Sequence, residues 1–102
     1  IVGGGNVGLA VARALEARTD RIRAKIIEKN RATAEFAADA LERTIVLNGD
    51  GMDADILAEA SIDRADAILA VTDDDKTNLL VAVRAKLNAR RASTVASRAR
   101  FR

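Results

Sequence analysis

Apolar positions follow two alternating rhythms along the chain. Short unbroken apolar runs predict strands, and longer stretches with apolar residues three and four apart predict helices. Ile1-Val2 opens as the end of a strand and runs directly into Gly3-Gly4-Gly5-Asn6-Val7-Gly8. From 6 to about 18 the spacing is helical, with Val7, Val11 and Leu15 as the apolar seam, while Gly8 and Ala12 offer a flat face for close packing on a sheet. Thr19-Asp20 ends that helix. The AKIIE run at 24–28 predicts a short strand buried on both faces through Ile26 and Ile27. Asn30 is placed to cap a second helix, about 32–42, with Phe36, Ala37 and Ala40 inward.

TIVL at 44–47 predicts a third strand, stopped by the turn formers Asn48-Gly49-Asp50-Gly51. A short helix follows at 53–60, with Ile62 packing under the loop after it. AILAV at 67–71 is the most continuously apolar segment and the best candidate for a central strand. Thr72-Asp73-Asp74-Asp75 then opens a long helix to about 89, with Leu79, Leu80, Val83 and Leu87 inward and acidic residues at its positive end. STVA at 93–96 gives a weaker fifth strand. Strands and helices that alternate with short connections and right-handed crossovers predict an α/β fold. The expected form is a Rossmann-like, doubly wound parallel sheet in three α/β/α layers, with strand order 3-2-1-4-5 counted from the N-terminus. No repeat or linker interrupts the pattern, so 1–102 is expected to be one domain. With Ile1 in mid-strand and no initiating Met, it is expected to be a piece of a longer chain.

Composition narrows the chemistry. Hydrophobic residues at 49% and charged residues at 31% suit a folded α/β domain rather than a disordered one. Two Phe are the only aromatics, so the core must be built from Ala, Val, Ile and Leu. The absence of cysteine removes disulfides, thiolate metal sites and cysteine nucleophiles. A balance of 17 basic against 15 acidic residues gives no electrostatic case for nucleic-acid binding. No apolar run reaches the roughly 18 residues of a membrane span, and a cytosolic setting is expected.

Gly3, Gly5 and Gly8 have the G-x-G-x-x-G spacing with which a strand turns into a helix and frees backbone N–H groups for a phosphate. In that pattern Gly3 serves the tight turn, Gly5 the close approach of a pyrophosphate and Gly8 the helix packing, with Gly4, Asn6 and Val7 completing the loop at a positive helix end. Glu28 lies about 20 residues further on, at the end of the second strand, where a carboxylate accepts from the hydroxyls of an adenosine ribose. It would repel a 2′-phosphate, which favours NAD over NADP. Asp50 either reaches the adenine edge or forms an Asx turn. Thr72 and Asp73 stand beside the pyrophosphate position, and Ser97-Arg98 offers a last contact after the fifth strand. Three adjacent Asp could also suggest a divalent metal, but acidic residues at a helix start have a dipole explanation of their own. Hydride transfer needs groups that move a proton, and the chain has no His or Tyr and no lysine constellation. No catalytic residues are therefore expected.

The segments IVGGGNVG, KIIEKN, TIVLNGDGMDADIL, SIDRADAILAVTDDDKTNLL and ASRARF together resemble the nucleotide-binding RCK (KTN) domains of the Trk potassium-uptake regulators, and more the second copy of that domain than the first. The resemblance covers nearly the whole chain. It implies a cytoplasmic regulatory domain, peripheral on the inner face of the membrane, that binds NAD(H), or ATP or ADP, and passes its ligand state to a membrane potassium transporter. It also implies a homodimer or higher oligomer of such domains. By the resemblance, the contacts fall on Gly3 to Val7, Glu28, Thr72 with Asp73, and Ser97 or Arg98, with Asp50 a weaker transfer. The chain departs from the family pattern at Thr33, where Arg is usual, and at Lys76, where Glu is usual. Two rival readings are the NAD-binding part of a dehydrogenase whose catalytic domain lies elsewhere and a methyltransferase using S-adenosylmethionine.

Overall fold

The computed structural model describes residues 1–72, 74, 77–80, 83 and 93–96. Its order is α1 (Asn6–Arg18), β1 (Lys25–Glu28), α2 (Arg31–Ala40), β2 (Ile45–Asn48), α3 (Ala54–Glu59), a 3₁₀ turn (Ile62–Arg64), β3 (Ala67–Ala70) and β4 (Ser93–Ala96). β1 pairs in parallel with β2, Lys25 opposite Ile45 and Glu28 opposite Asn48. β3 pairs in parallel with β4, Ala67 opposite Ser93 and Ala70 opposite Ala96. Val2 joins the two pairs, bridging in parallel to Ile27 on one side and to Ala70 on the other. Backbone bonds run along both flanks of this N-terminal segment: Val2 N–H donates to Leu69 C=O at 2.6 Å and Gly3 N–H to Ile27 C=O at 2.9 Å.

The neighbours Ile26 and Ile27 point to opposite faces of β1, as the two-residue period of a strand requires. Ile26 packs with Leu9 and Ala12 of α1 and with Ala37 and Leu41 at α2. Ile27 packs with Val2, Leu57 of α3, Ile62 and Ile68. Helices thus cover both faces of the parallel sheet. Burying each isoleucine contributes about 1.5–3 kcal/mol.

Side-chain caps set the helix starts at α2 and α3. Asn30 accepts from the Thr33 N–H and Asp53 from the Asp55 N–H. The connection from α2 to β2 is held by Glu16 of α1, whose carboxylate accepts from the backbone N–H groups of Glu42, Arg43 and Thr44 and from the Thr44 hydroxyl. Arg43 in turn donates to the Glu16 and Thr19 carbonyls at the end of α1.

Three expected inward faces are corrected. On α1 the buried stripe is Gly8, Leu9 and Ala12, and Val7 is exposed. On α2 the sheet side is Ala34 and Ala37, continued by Leu41, whereas Phe36 is 63% exposed. One residue turns a helix by about 100°, so the face that admits alanines close to the sheet carries the adjacent Phe36 away from it. After β3 the buried residue of the helical turn at 77–80 is Asn78, and Leu79, Leu80 and Val83 face outward. That turn is drawn in by hydrogen bonds rather than by its leucines. Leu87 lies outside the described residues.

Candidate functional site

The loops that leave Val2, β1 and β3 at their C-terminal ends meet around the glycine-rich turn. Gly3 has φ +113°, and a Cβ there would lie 2.9 Å from the Thr72 backbone nitrogen. Both facts demand glycine: the left-handed backbone, and the approach of the chain leaving β3. At position 8 a Cβ would sit 1.7 Å from the Gly3 carbonyl oxygen, so Gly8 lets α1 begin directly against the turn. A Cβ on Gly4 would press on the Ile26 side chain at 3.1 Å and on Glu28 at 3.2 Å.

Gly5 differs from its neighbours. It is exposed, and a Cβ built on it meets nothing within 4 Å. It caps α1 without a side-chain hydrogen bond, and no acidic residue lies in the first turn, where Asn6 and Val7 are exposed. Among the described residues the positive end of α1 is therefore left open, with the first N–H groups of the helix not used by its own ladder.

Glu28 faces that opening from the end of β1. Its Oε1 accepts from Gly4 N–H and its Oε2 from Asn30 N–H, each at 2.7 Å. The carboxylate ties the glycine turn to the start of α2, and each oxygen keeps a second lone pair for another donor. Asn48, opposite Glu28 in the register, donates through Nδ2 to the Glu28 and Lys29 carbonyls at 2.9 and 3.1 Å. Gly49 N–H also donates to the Glu28 carbonyl. Asp50 forms an Asx turn, accepting from Met52 N–H through Oδ1 at 2.8 Å, and its carbonyl accepts from Asp53 N–H.

Thr72 continues from β3 against Gly3. Asn78, 1% exposed, accepts through Oδ1 from the Thr72 N–H at 2.7 Å and from the Thr72 hydroxyl, and donates through Nδ2 to the Thr72 carbonyl at 2.9 Å. Asp74 caps the turn after it, accepting from the Thr77 hydroxyl at 2.8 Å. Asp73, Ser97 and Arg98 lie outside the described residues.

All 102 residues match the family model described as the TrkA-N domain. The chain belongs to the TrkA-N domain family. It is 45% identical over 84% of its length to a Trk system potassium uptake protein TrkA of Azorhizobium caulinodans, covering 19% of that protein. It is 43% identical over 84% of its length to the Vibrio alginolyticus protein of the same name, covering 18% of it. The Haemophilus influenzae protein, also a Trk system potassium uptake protein TrkA, is 38% identical over 96% of this chain and is covered over 21% of its own length. The chain thus spans about a fifth of the length of the curated relatives it matches. The family resemblance carried by the sequence motifs is borne out.

In this TrkA-N domain the glycine turn lies against two of the other expected residues, Gly4 bonded to Glu28 and Gly3 abutting Thr72, while Asp50 shapes the turn after β2. Two site-building residues carried no such role in the sequence. Asn48 read only as a turn former, although an amide side chain at a strand end next to the acid-bearing strand was its signal. Asn78 entered only as part of the SIDRADAILAVTDDDKTNLL segment that carries the resemblance, and its place just after a Thr-Asp-rich turn was the clue. No helix among the described residues is long and apolar enough to cross a membrane.

Proposed function

We propose that this TrkA-N domain is a regulatory nucleotide-binding module that holds NAD(H), or an adenine nucleotide such as ATP or ADP, and passes its ligand state to a membrane potassium transporter. The observation that carries the reading is Gly5, the glycine of the motif for which the protein's own packing gives no reason, at the uncapped start of α1 and beside the Glu28 carboxylate. Donors from Gly5, Asn6 and Val7 suit a pyrophosphate. Gly3 and Gly8 give the turn its shape, and Gly4, whose N–H is held by Glu28, fixes the acid against it. Glu28 suits the ribose hydroxyls, and its charge disfavours a 2′-phosphate. Thr72 forms the far wall, with Asp73 and Arg98 completing the contacts and Asp50 shaping the adenine side. A bound nucleotide supplies negative charge and paired hydroxyls for these loops to grasp.

The reading takes the sheet as one five-strand run, order 3-2-1-4-5, with Val2 at its centre, so that the opening falls where the strand order reverses. It also takes the domain as non-catalytic, cytoplasmic and peripheral on the inner membrane face, working as a homodimer or higher oligomer beside a transporter subunit. The relatives' potassium-uptake names support the physiological setting. Gating follows only from a difference in nucleotide affinity between arrangements of paired domains. Calorimetric titration with NADH, NAD, ATP and ADP tests the site. Binding by the parent and its loss in Glu28→Ala is the expected outcome; no binding of any of the four, or equal binding by the variant, overturns it.

A further inference from the structure

We infer that Asn78 is a positioning residue of the nucleotide site, holding the backbone of Thr72 in the place that makes it a wall of the glycine turn; the inference rests on the nucleotide reading above. Asn78 is the buried polar side chain among the described residues, and it is turned inward where its neighbours Leu79 and Leu80 are exposed. A buried amide is costly unless paired. Here its Oδ1 and Nδ2 together take the N–H and the C=O of the same residue, Thr72.

Thr72 has just left the strand pairing that holds Val71, whose N–H donates to the Val2 carbonyl at 2.8 Å. Asn78 therefore replaces for Thr72 the partners that a neighbouring strand supplies one residue earlier. The position so fixed matters because a Cβ on Gly3 would be 2.9 Å from the Thr72 nitrogen, so the two loops abut through backbone alone. The nearest atoms at that contact are backbone, which cannot swing aside as a side chain can. Asn78 N–H also donates to the Asp74 carbonyl, and Asp74 caps Thr77, so the helical turn that presents Asn78 is anchored to the same loop. A shift of that turn moves Thr72, and with it the rim of the phosphate opening.

The test compares the parent with Asn78→Ala and Asn78→Asp, using NADH calorimetry and amide hydrogen exchange. In Asn78→Ala the NADH dissociation constant should rise at least about tenfold and the Thr72 amide should exchange at least about tenfold faster, with Ile27 in β1 protected as in the parent. Asn78→Asp keeps the acceptor for Thr72 N–H but loses the donor to its carbonyl. It should restore protection at Thr72 and only part of the affinity, and it carries the test if the alanine variant does not fold. Unchanged NADH affinity in the folded variants overturns the inference. So does faster exchange spread equally to Ile27, which is the signature of a purely structural residue. If the parent binds no NADH the nucleotide reading falls by itself, and the exchange at Thr72 still decides whether Asn78 holds that loop.

Discussion

The carbonyl oxygen of Gly3 and the α-carbon of Gly8 are so close that a Cβ on residue 8 would lie 1.7 Å from that oxygen, whereas one on Gly5, between them, would touch nothing within 4 Å. Two glycines of one motif are thus required for different reasons. Gly8→Ala is expected to destabilise the fold by more than about 2 kcal/mol, since backbone rather than a movable side chain stands in the way. Gly5→Ala should cost no more than about 1 kcal/mol, the difference between glycine and alanine at a helix cap, yet should abolish NADH binding. Urea unfolding and calorimetry on both variants separate the two roles.

Glu28→Gln keeps the length of the side chain but loses the charge and turns an NH₂ toward one of two backbone donors. Gly4 or Asn30 then loses its acceptor. The variant should fold, with stability lowered by about 1 kcal/mol, and its NADH affinity should fall by about tenfold to a hundredfold, as loss of charge-assisted hydrogen bonds to the ribose would give. The parent's preference for NADH over NADPH should shrink in the same titrations.

Glu16 sets an acid limb on stability. The backbone N–H groups of Glu42 and Arg43, with further bonds from Thr44, lower its pKa from the ordinary 4.5 to about 2. A depressed carboxylate adds stability that is fully present above the unfolded pKa and disappears as pH falls through the folded one. Urea midpoints of the parent and Glu16→Gln should therefore differ above about pH 4.5 and draw together as pH falls to about 2.

Ile27 and Phe36 should respond very unequally to truncation. Ile27→Ala, at a position 3% exposed between Val2 and Leu57, is expected to cost about 3 kcal/mol. Phe36→Ser removes the larger side chain from an exposed helix face and should change stability by about 0.5 kcal/mol or less. Thermal unfolding of the two variants checks the corrected face of α2.

Much of this was legible in the sequence because it rests on local chemistry. The Asn30 cap, the double burial of Ile26 and Ile27 and the roles of Gly3 and Gly8 each follow from a residue type that few other conformations accommodate. The helix faces were less legible. Hydrophobic spacing marks which residues could face inward, but Phe36 and Leu79 lost to smaller or hydrogen-bonding neighbours, a choice made by how closely each helix approaches its surroundings. Asn48 and Asn78 were hidden for a related reason: Asn48 pairs with the Glu28 and Lys29 carbonyls, and Asn78 with the backbone of Thr72 as well as its hydroxyl, and backbone groups leave no trace in side-chain patterns.

Val2 has a consequence for how the molecule assembles. It bridges Ile27 on one side and Ala70 on the other, two residues far apart in the sequence. Val2 is therefore held on both sides only where the β1–β2 pair and the β3–β4 pair are both in place. The turn that Val2 leads into has its full walls only when both pairs flank it, so a molecule bound across that turn would report that the two halves of the sheet are joined.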